Sequence, residues 1–380
     1  MYGLNLADNI TRLRHARKIT QEELADFLGV TKASVSKWEN AQSTPDLLML
    51  LGLSAFFDVT VDGLLGYEPQ LSREQIRRRY EELSRDFANL PFEEAVRKTR
   101  TLAHRYYSCY PLLLQLGVLY WNHSMLAETK EGQKEILSEA AGWCDHILEN
   151  SGDVGLCNDA LALKAGLTLQ MGRAAETVNL LEPAAKPGRL GGQGQAGALL
   201  VQAYQMMGET DQAKFHIQGR QYVDLLNLVG DGILSLALYE NEIDRCEKTI
   251  GRIRCVIKEY SLENLHPNLA AQFYFQSAVV YARNENWEES LLSLGSFEKC
   301  VDRLLNAKRG CLHGDDYFDL LDGWIEELPL GDMAPRDRGF MGQNISQALS
   351  HPVFEGMKEK KEFQRLVHRF AQEKGGESYD

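Results

Sequence analysis

The stretch from Thr20 to Asp46, TQEELADFLGVTKASVSKWENAQSTPD, constrains the fold more tightly than any other part of the chain. Thr20 is a good N-cap, and Glu23 three places later completes a capping box, since a hydroxyl and a carboxylate at that spacing satisfy two of the amides a helix start leaves unpaired. Leu24, Ala25 and Leu28 then form an apolar stripe at helical spacing. Gly29 stops this helix. Val30 and Thr31 fill the turn, and Thr31 caps a second helix in which Val35 and Trp38 face inward while Lys32, Ser34, Ser36 and Lys37 stay polar. Two short helices joined by a glycine-containing turn are therefore expected.

From about Leu6 to Gly66 the chain resembles the phage-repressor (Cro-like, XRE) helix-turn-helix family. The match lies in an Arg-rich first helix, TRLRHARK, followed by TQEELA, GVT, VSKWEN, a proline and a Leu-rich helix. The resemblance implies a five-helix head that binds a double-stranded DNA operator. It makes Arg14 and Glu39 a structural ion pair. It assigns DNA contacts to Gln21, Thr31, Lys32, Ala33, Ser34, Ser36, Lys37 and Asn40, with Gln21 donating to a phosphate, Lys32, Ala33, Ser34 and Lys37 facing base edges, and Asn40 holding the backbone after the second motif helix. The chemistry is consistent: an amide at a helix N-terminus suits a phosphate oxygen, Lys reaches guanine acceptors, and Ala or Ser touches a thymine methyl. Pro45 is expected to open the fourth helix at its first position, and Thr60 to Leu65 to complete the head, with Asp58 and Gly66 as punctuation. Ala41 departs from the family pattern, which usually has Gly there, so a strained helix end is expected.

Charge qualifies this reading. Residues 1–66 hold six Lys or Arg against eight Asp or Glu, a formal −2, so one head alone should bind weakly and a homodimer on two half-sites is expected. Residues 67–105 carry nine basic and seven acidic residues, including Arg77, Arg78 and Arg79; these either graze the DNA backbone or form a solvated helix face, the second being favoured. Residues 106–380 hold 26 basic and 39 acidic residues, which turns that part away from nucleic acid. No basic leader and no run of 18 apolar residues occurs, so a cytoplasmic protein is expected. The seven cysteines lack CxxC pairs and read as reduced thiols, with no metal or cofactor expected.

With 380 residues, the chain has room for more than the head. The expected fold is all-α: residues 1–66 a DNA-binding head, 67–105 a helical connector, 106–328 an α-solenoid of tetratricopeptide-like repeats, and 329–380 a linker loop and capping helix. Ser72 should cap a helix running to Asn89, and Phe92 to Arg105 should form the next. Repeat markers are Leu116, Gly117 and Tyr120; Ala165, Gly172 and Leu181, ending at Pro183; Leu200, Tyr204, Gly208 and Ala213; a weaker copy from Ile233 to Ile250; and Ala278, Tyr281 and Ser290. Positions 117, 165, 201, 234 and 278 are separated by 48, 36, 33 and 44 residues, two steps lying near the tetratricopeptide period. KEFQRLVHRF resembles the helix that closes such arrays.

In these arrays the first helix of each hairpin lines a concave groove that takes an extended peptide. The corresponding positions are Trp121, Asn122, Asp159, Gln170, Gln202, Gln205, Asp231, Gln272 and Arg283, a set rich in amides that can pair with a peptide backbone or simply be solvated. Head and body in this order resemble the peptide-pheromone-sensing regulators of Gram-positive bacteria. Two competing chemistries fail on context. Gly192 to Gly197 spell GxGxxG but follow KPGRL rather than an apolar strand, and Cys311, His313, Asp315 and Asp316 match no common metal spacing. No nucleophile, base and oxyanion constellation assembles, so no enzyme is expected. The sequence thus points to a transcriptional regulator whose body senses a peptide or other ligand, dimerises, or both. The alternative is an adaptor whose body binds a protein partner while the head anchors it to DNA.

Overall fold

The computed structural model describes residues 5–67, 70–185, 195–306, 312–329, 331–332 and 338–372, and every regular element among them is a helix. The chain divides into two compact units, Met1–Leu167 and Thr168–Asp380, with the division falling inside one helix.

The first unit begins with α1 (Leu6–Ala16), α2 (Gln21–Leu28), α3 (Lys32–Glu39), α4 (Leu47–Phe57) and α5 (Val61–Leu65). Ile10, Leu24, Val35, Leu53 and Leu64, one from each helix, are fully buried, and Leu6, Ala25, Trp38 and Phe57 close the core around them. Each such side chain removed from water contributes roughly 1.5–3 kcal/mol, which lets helices of eight residues persist that would be marginal alone. Asn9 ties the ends of the bundle together, its amide donating to the carbonyls of Gly63 and Leu64 at 3.4 and 3.2 Å. Pro45 does not open α4. The helix starts two residues later, because the Asp46 carboxylate accepts from the Met49 amide at 2.9 Å and takes the capping role, leaving Pro45 as a buried residue before the cap.

The unit continues with α6 (Arg73–Asn89), α7 (Phe92–Arg105), α8 (Tyr110–His123), α9 (Lys130–Asn150) and α10 (Val154–Gln170). α6 starts at a Ser72–Gln75 capping box. Gly117 on α8 permits close approach to α10, since a Cβ there would stand 2.9 Å from the Leu163 side chain.

The second unit comprises α11 (Ala174–Ala185), α12 (Gln195–Met207), α13 (Thr210–Leu238), α14 (Ile243–Glu259), α15 (Leu262–Leu265), α16 (Pro267–Arg283), α17 (Trp287–Asn306), α18 (Leu321–Glu326), α19 (Arg338–Leu349) and α20 (Lys361–Gln372). Gly172 and Gly208, both at φ +80°, make the tight turns before α11 and α13 that the repeat pattern required. The weaker copy from Ile233 to Ile250 spans the end of α13, the turn after Leu238 and the start of α14, with no break before Ile233. α13 runs unbroken for 29 residues because Tyr222, Leu225, Val229, Gly232 and Leu236 form one buried stripe in alternating steps of three and four. α11 likewise continues to Ala185 past Pro183, whose missing amide falls in the last turn, where the loss of one bond is tolerated. Residues 192–194 of the GxGxxG stretch and Cys311 lie outside the described residues. Among the described residues no group of three or more His, Cys, Asp or Glu is placed to hold a metal, and no helix is long and apolar enough to cross a membrane.

Candidate nucleic-acid interface

Local chemistry sets the ends of α2 and α3. The Thr20 hydroxyl accepts from the Glu23 amide at 3.2 Å, while the Glu23 carboxylate accepts from the Thr20 amide at 2.7 Å and from the Thr20 hydroxyl at 2.9 Å, two bonds that hold the Glu23 carboxyl below the usual range. Gly29 closes α2 in the left-handed conformation at φ +67°, and the Thr31 hydroxyl accepts from the Ser34 amide at 3.2 Å to start α3. At the other end the Asn40 amide donates to the Ser36 carbonyl at 2.8 Å, holding the last turn of α3. Ala41 follows at φ +54°. The amides of Ala41 and Gln42 return to the carbonyls of Trp38 and Lys37 at 3.2 and 2.8 Å, a Schellman closure that demands the left-handed backbone an alanine adopts only under strain.

A buried ion pair then fixes α3 against the rest of the head. Arg14 on α1 donates through Nε and Nη2 to the two oxygens of Glu39 at 2.6 and 3.0 Å, and through Nη1 to the Ile19 carbonyl at 2.8 Å. Burial pushes the Glu39 carboxyl up, but the bonds from Arg14 and Gln21 together with the Arg14 charge outweigh it and hold the carboxyl below its ordinary value. Gln21 is placed differently from a free phosphate ligand. Its Nε2 donates to Glu39 at 2.8 Å, so one N–H braces α3 and only the second remains for a phosphate.

The opposite face of α3 is open. Lys32, Ala33 and Lys37 are exposed, with Ser34 and Ser36 half-buried beside them, while Val35 and Trp38 are buried in the core. Lys32 Nζ lies 3.3 Å from Glu22 in an exposed pair of the kind worth about 1 kcal/mol or less, easily given up to another anion. The Lys37 ammonium has no hydrogen-bond or ion-pair partner among the described residues. The Thr31 and Ser34 hydroxyls bond to each other at 2.9 Å at the start of the helix. Two ammonium groups, a methyl and two hydroxyls thus occupy one side of a helix narrow enough for a major groove.

Residues 10–64 match a protein-family model described as helix-turn-helix. This segment is a helix-turn-helix domain of the phage-repressor (XRE) type. Over 61 residues the chain is 39% identical to the HTH-type transcriptional activator BcrR of Enterococcus faecalis, covering 16% of this chain and 30% of BcrR. It is also 36% identical over 63 residues to the HTH-type transcriptional regulator AnsR of Bacillus subtilis, covering 17% of this chain and 54% of AnsR. The chain therefore spans only about a third to a half of these two relatives. The crystal structure of Bacillus thuringiensis PlcR in complex with the peptide PapR7 and DNA aligns over 79% of this chain and 96% of PlcR, at 13% identity and a TM-score of 0.21, too low for the superposition to inform either unit.

The nine groove positions fall in both units. In the first, the half-buried Trp121 indole packs on Gly166, where a Cβ would stand 2.2 Å from the ring. Beside it the exposed Asn122 amide donates to the Tyr80 hydroxyl at 3.4 Å, and Asp159 is exposed on α10. In the second, Gln170, Gln202, Gln205, Asp231, Gln272 and Arg283 are exposed, with Arg283 paired to Glu240 at 3.2 Å. Three cavities of about 440, 360 and 390 Å³ are lined by α6, α7 and α8 instead, and none of the nine residues borders them. Their walls hold Arg73, Arg77, Arg79 and Lys98, residues whose only advance signal was the basic run at Arg77 to Arg79.

Proposed function

We propose that the protein is a sequence-specific DNA-binding transcriptional regulator that lays α3 in the major groove. The observation that carries the reading is the two-sided character of α3: one side is bonded into the head through Glu39, Arg14 and Gln21, and the other presents Lys32, Ala33 and an unpartnered Lys37. A helix held this way presents base-reading groups without first having to be ordered, so little affinity is lost to fixing them. The BcrR and AnsR names place related domains in transcriptional regulators and support the same class here. The head's formal charge of −2 favours a homodimer on two half-sites, since few phosphate contacts per head leave a monomer weak.

The helical body would then be the regulated part, with exposed amides such as Gln202, Gln205 and Gln272 available to an extended peptide and a ligand-dependent population shift altering operator affinity. Selection of bound duplexes from a random-sequence pool by the full-length protein tests the first half. A recovered motif with two half-sites one helical turn apart, or a multiple of it, is expected, and recovery of unrelated sequences would defeat the reading. Titration of short synthetic peptides into the operator complex tests the second half, which fails if none shifts operator affinity and none binds the free protein.

A further inference from the structure

The cations of α6 and α7 fall into two sets. On the side where the two helices face each other, Arg79 is paired with Glu82 at 2.8 Å and Lys98 with Asp86 at 2.6 Å, all four lining the cavity of about 440 Å³ beside Arg85, and Arg97 is paired with Glu94 at 3.5 Å along α7. The outer shoulder of α6 is different. Arg73, Arg77 and Arg78 are exposed and have no ion pair among the described residues. All three sit in the first two turns of the helix, and Arg73 lies in the first turn, where a positive side chain opposes the helix dipole. Arg73 and Arg77, one turn apart, border the cavity of about 390 Å³ together with Tyr80 and Gln115. The Tyr80 hydroxyl already accepts from Asn122, which leaves its own proton free to donate outward. One carboxylate, Glu81, also lines this cavity, and it faces Arg85 at 4.0 Å.

Guanidinium groups without internal partners, flanked by a free hydroxyl donor, form a surface suited to phosphate oxygens. Only seven residue steps separate Gly66, at the end of the head, from Arg73, a span of at most about 25 Å even if fully extended. That is less than one turn of B-form duplex, roughly 34 Å. The shoulder is therefore tethered within less than one duplex turn of the end of the head, whereas the head itself is formally negative. We infer that Arg73, Arg77 and Arg78 of α6 are a second, sequence-independent contact to the phosphodiester backbone beside the site read by α3. The inference rests on the DNA-binding reading above. It assigns to α6 the electrostatic share of binding that the head lacks.

The test is the salt dependence of operator binding by the full-length protein, measured by fluorescence anisotropy on a selected duplex for wild type, Arg77→Gln/Arg78→Gln, and the control Lys130→Gln/Lys134→Gln, which removes two exposed charges from α9. The arginine double variant should lower the slope of log affinity against log salt by about 2, close to one for each phosphate left without its arginine, with base preference unchanged. The control should leave the slope as in wild type. An unchanged slope in the arginine variant, or an equal fall in the control, would overturn the α6 contact while leaving the DNA-binding reading intact. A wild type that binds no duplex would overturn both. Superimposable circular-dichroism melts for the three proteins exclude misfolding as the cause of a fall.

Discussion

The head and the second unit are both packed helices, yet they fix their geometry by opposite means. In the head a buried cation, Arg14, bonds both oxygens of Glu39 and draws Gln21 into the same carboxylate. No other charged residue is buried among the described residues. The second unit instead relies on shape: Gly219 lies beneath the Trp324 indole, Gly232 beneath Ile253 and Gly356 beneath Trp287. Its buried hydroxyls bond to helix carbonyls, Ser277 donating to that of Phe273 within α16 and Ser290 on α17 to that of Ala278 on α16, both at 2.9 Å. The difference follows from size. A bundle of five short helices has too little core to hold an eight-residue helix in one orientation by packing alone, and directional bonds supply the missing precision. A unit of some two hundred residues reaches the same end through interdigitated side chains.

Glu39→Ala breaks this contrast most severely. It leaves the Arg14 guanidinium buried without its partner and should cost the head about 3–5 kcal/mol, read as an early transition in urea or heat, while Arg14→Met/Glu39→Met together should recover much of that loss. Gly219→Leu is the counterpart in the second unit. Its side chain must displace the indole of Trp324, since even a Cβ would stand 2.3 Å from Nε1, and a loss of roughly 1–3 kcal/mol is expected there with the head transition unchanged.

Acid separates the two regions without mutation. His266 caps α16, its Nδ1 accepting from the Leu269 amide at 3.1 Å, and burial holds its pKa below the ordinary 6.5. A depressed folded-state pKa means the unfolded chain takes up the proton first, so the stability His266 contributes is present above pH 6.5 and is lost as pH falls below it. His216, also pushed down by burial, acts in the same direction. In the head Glu39 is likewise depressed, but from 4.5, so its contribution is lost only as pH falls below that value. Between pH 6.5 and 4.5 calorimetry should therefore show the second unit weakening before the loss of Glu39 stabilisation begins. Simultaneous weakening in that window would contradict the assignment. The smallest effect is a gain: Ala41→Gly relieves the left-handed strain at φ +54° and should raise the head's stability by about 1 kcal/mol in urea unfolding.

The head is legible in the sequence because its signals are local. Capping at Thr20 and Thr31 and the stop at Gly29 depend on residues within one turn, and the Arg14–Glu39 pair follows from the family pattern. Gln21 is only half legible, since its bond to Glu39 joins positions 18 residues apart that no spacing rule connects. Pro45 misleads for the opposite reason: two adjacent residues could both start α4, and the aspartate side chain wins by accepting a bond that proline cannot offer. In the body, the repeat markers carry no sign that Gly232 is a seat for Ile253 inside a continuous helix, a contact that only the partner helix makes visible. The groove positions follow from register alone, which carries no sign of the contact of Trp121 with Gly166 or the pairing of Arg283 with Glu240.

The measurement that bears most directly on the account is anisotropy of the full-length protein on a selected duplex and on a scrambled duplex of equal length, for wild type, Lys37→Ala and Gln21→Ala. The account predicts that Lys37→Ala lowers the ratio of specific to non-specific affinity, by about tenfold if Lys37 makes one good base contact. Gln21→Ala, which loosens the brace on α3 and would remove the proposed phosphate donor, should weaken both duplexes by similar factors. A Lys37→Ala protein that discriminates between the duplexes as well as wild type would contradict the claim that the open face of α3 reads sequence.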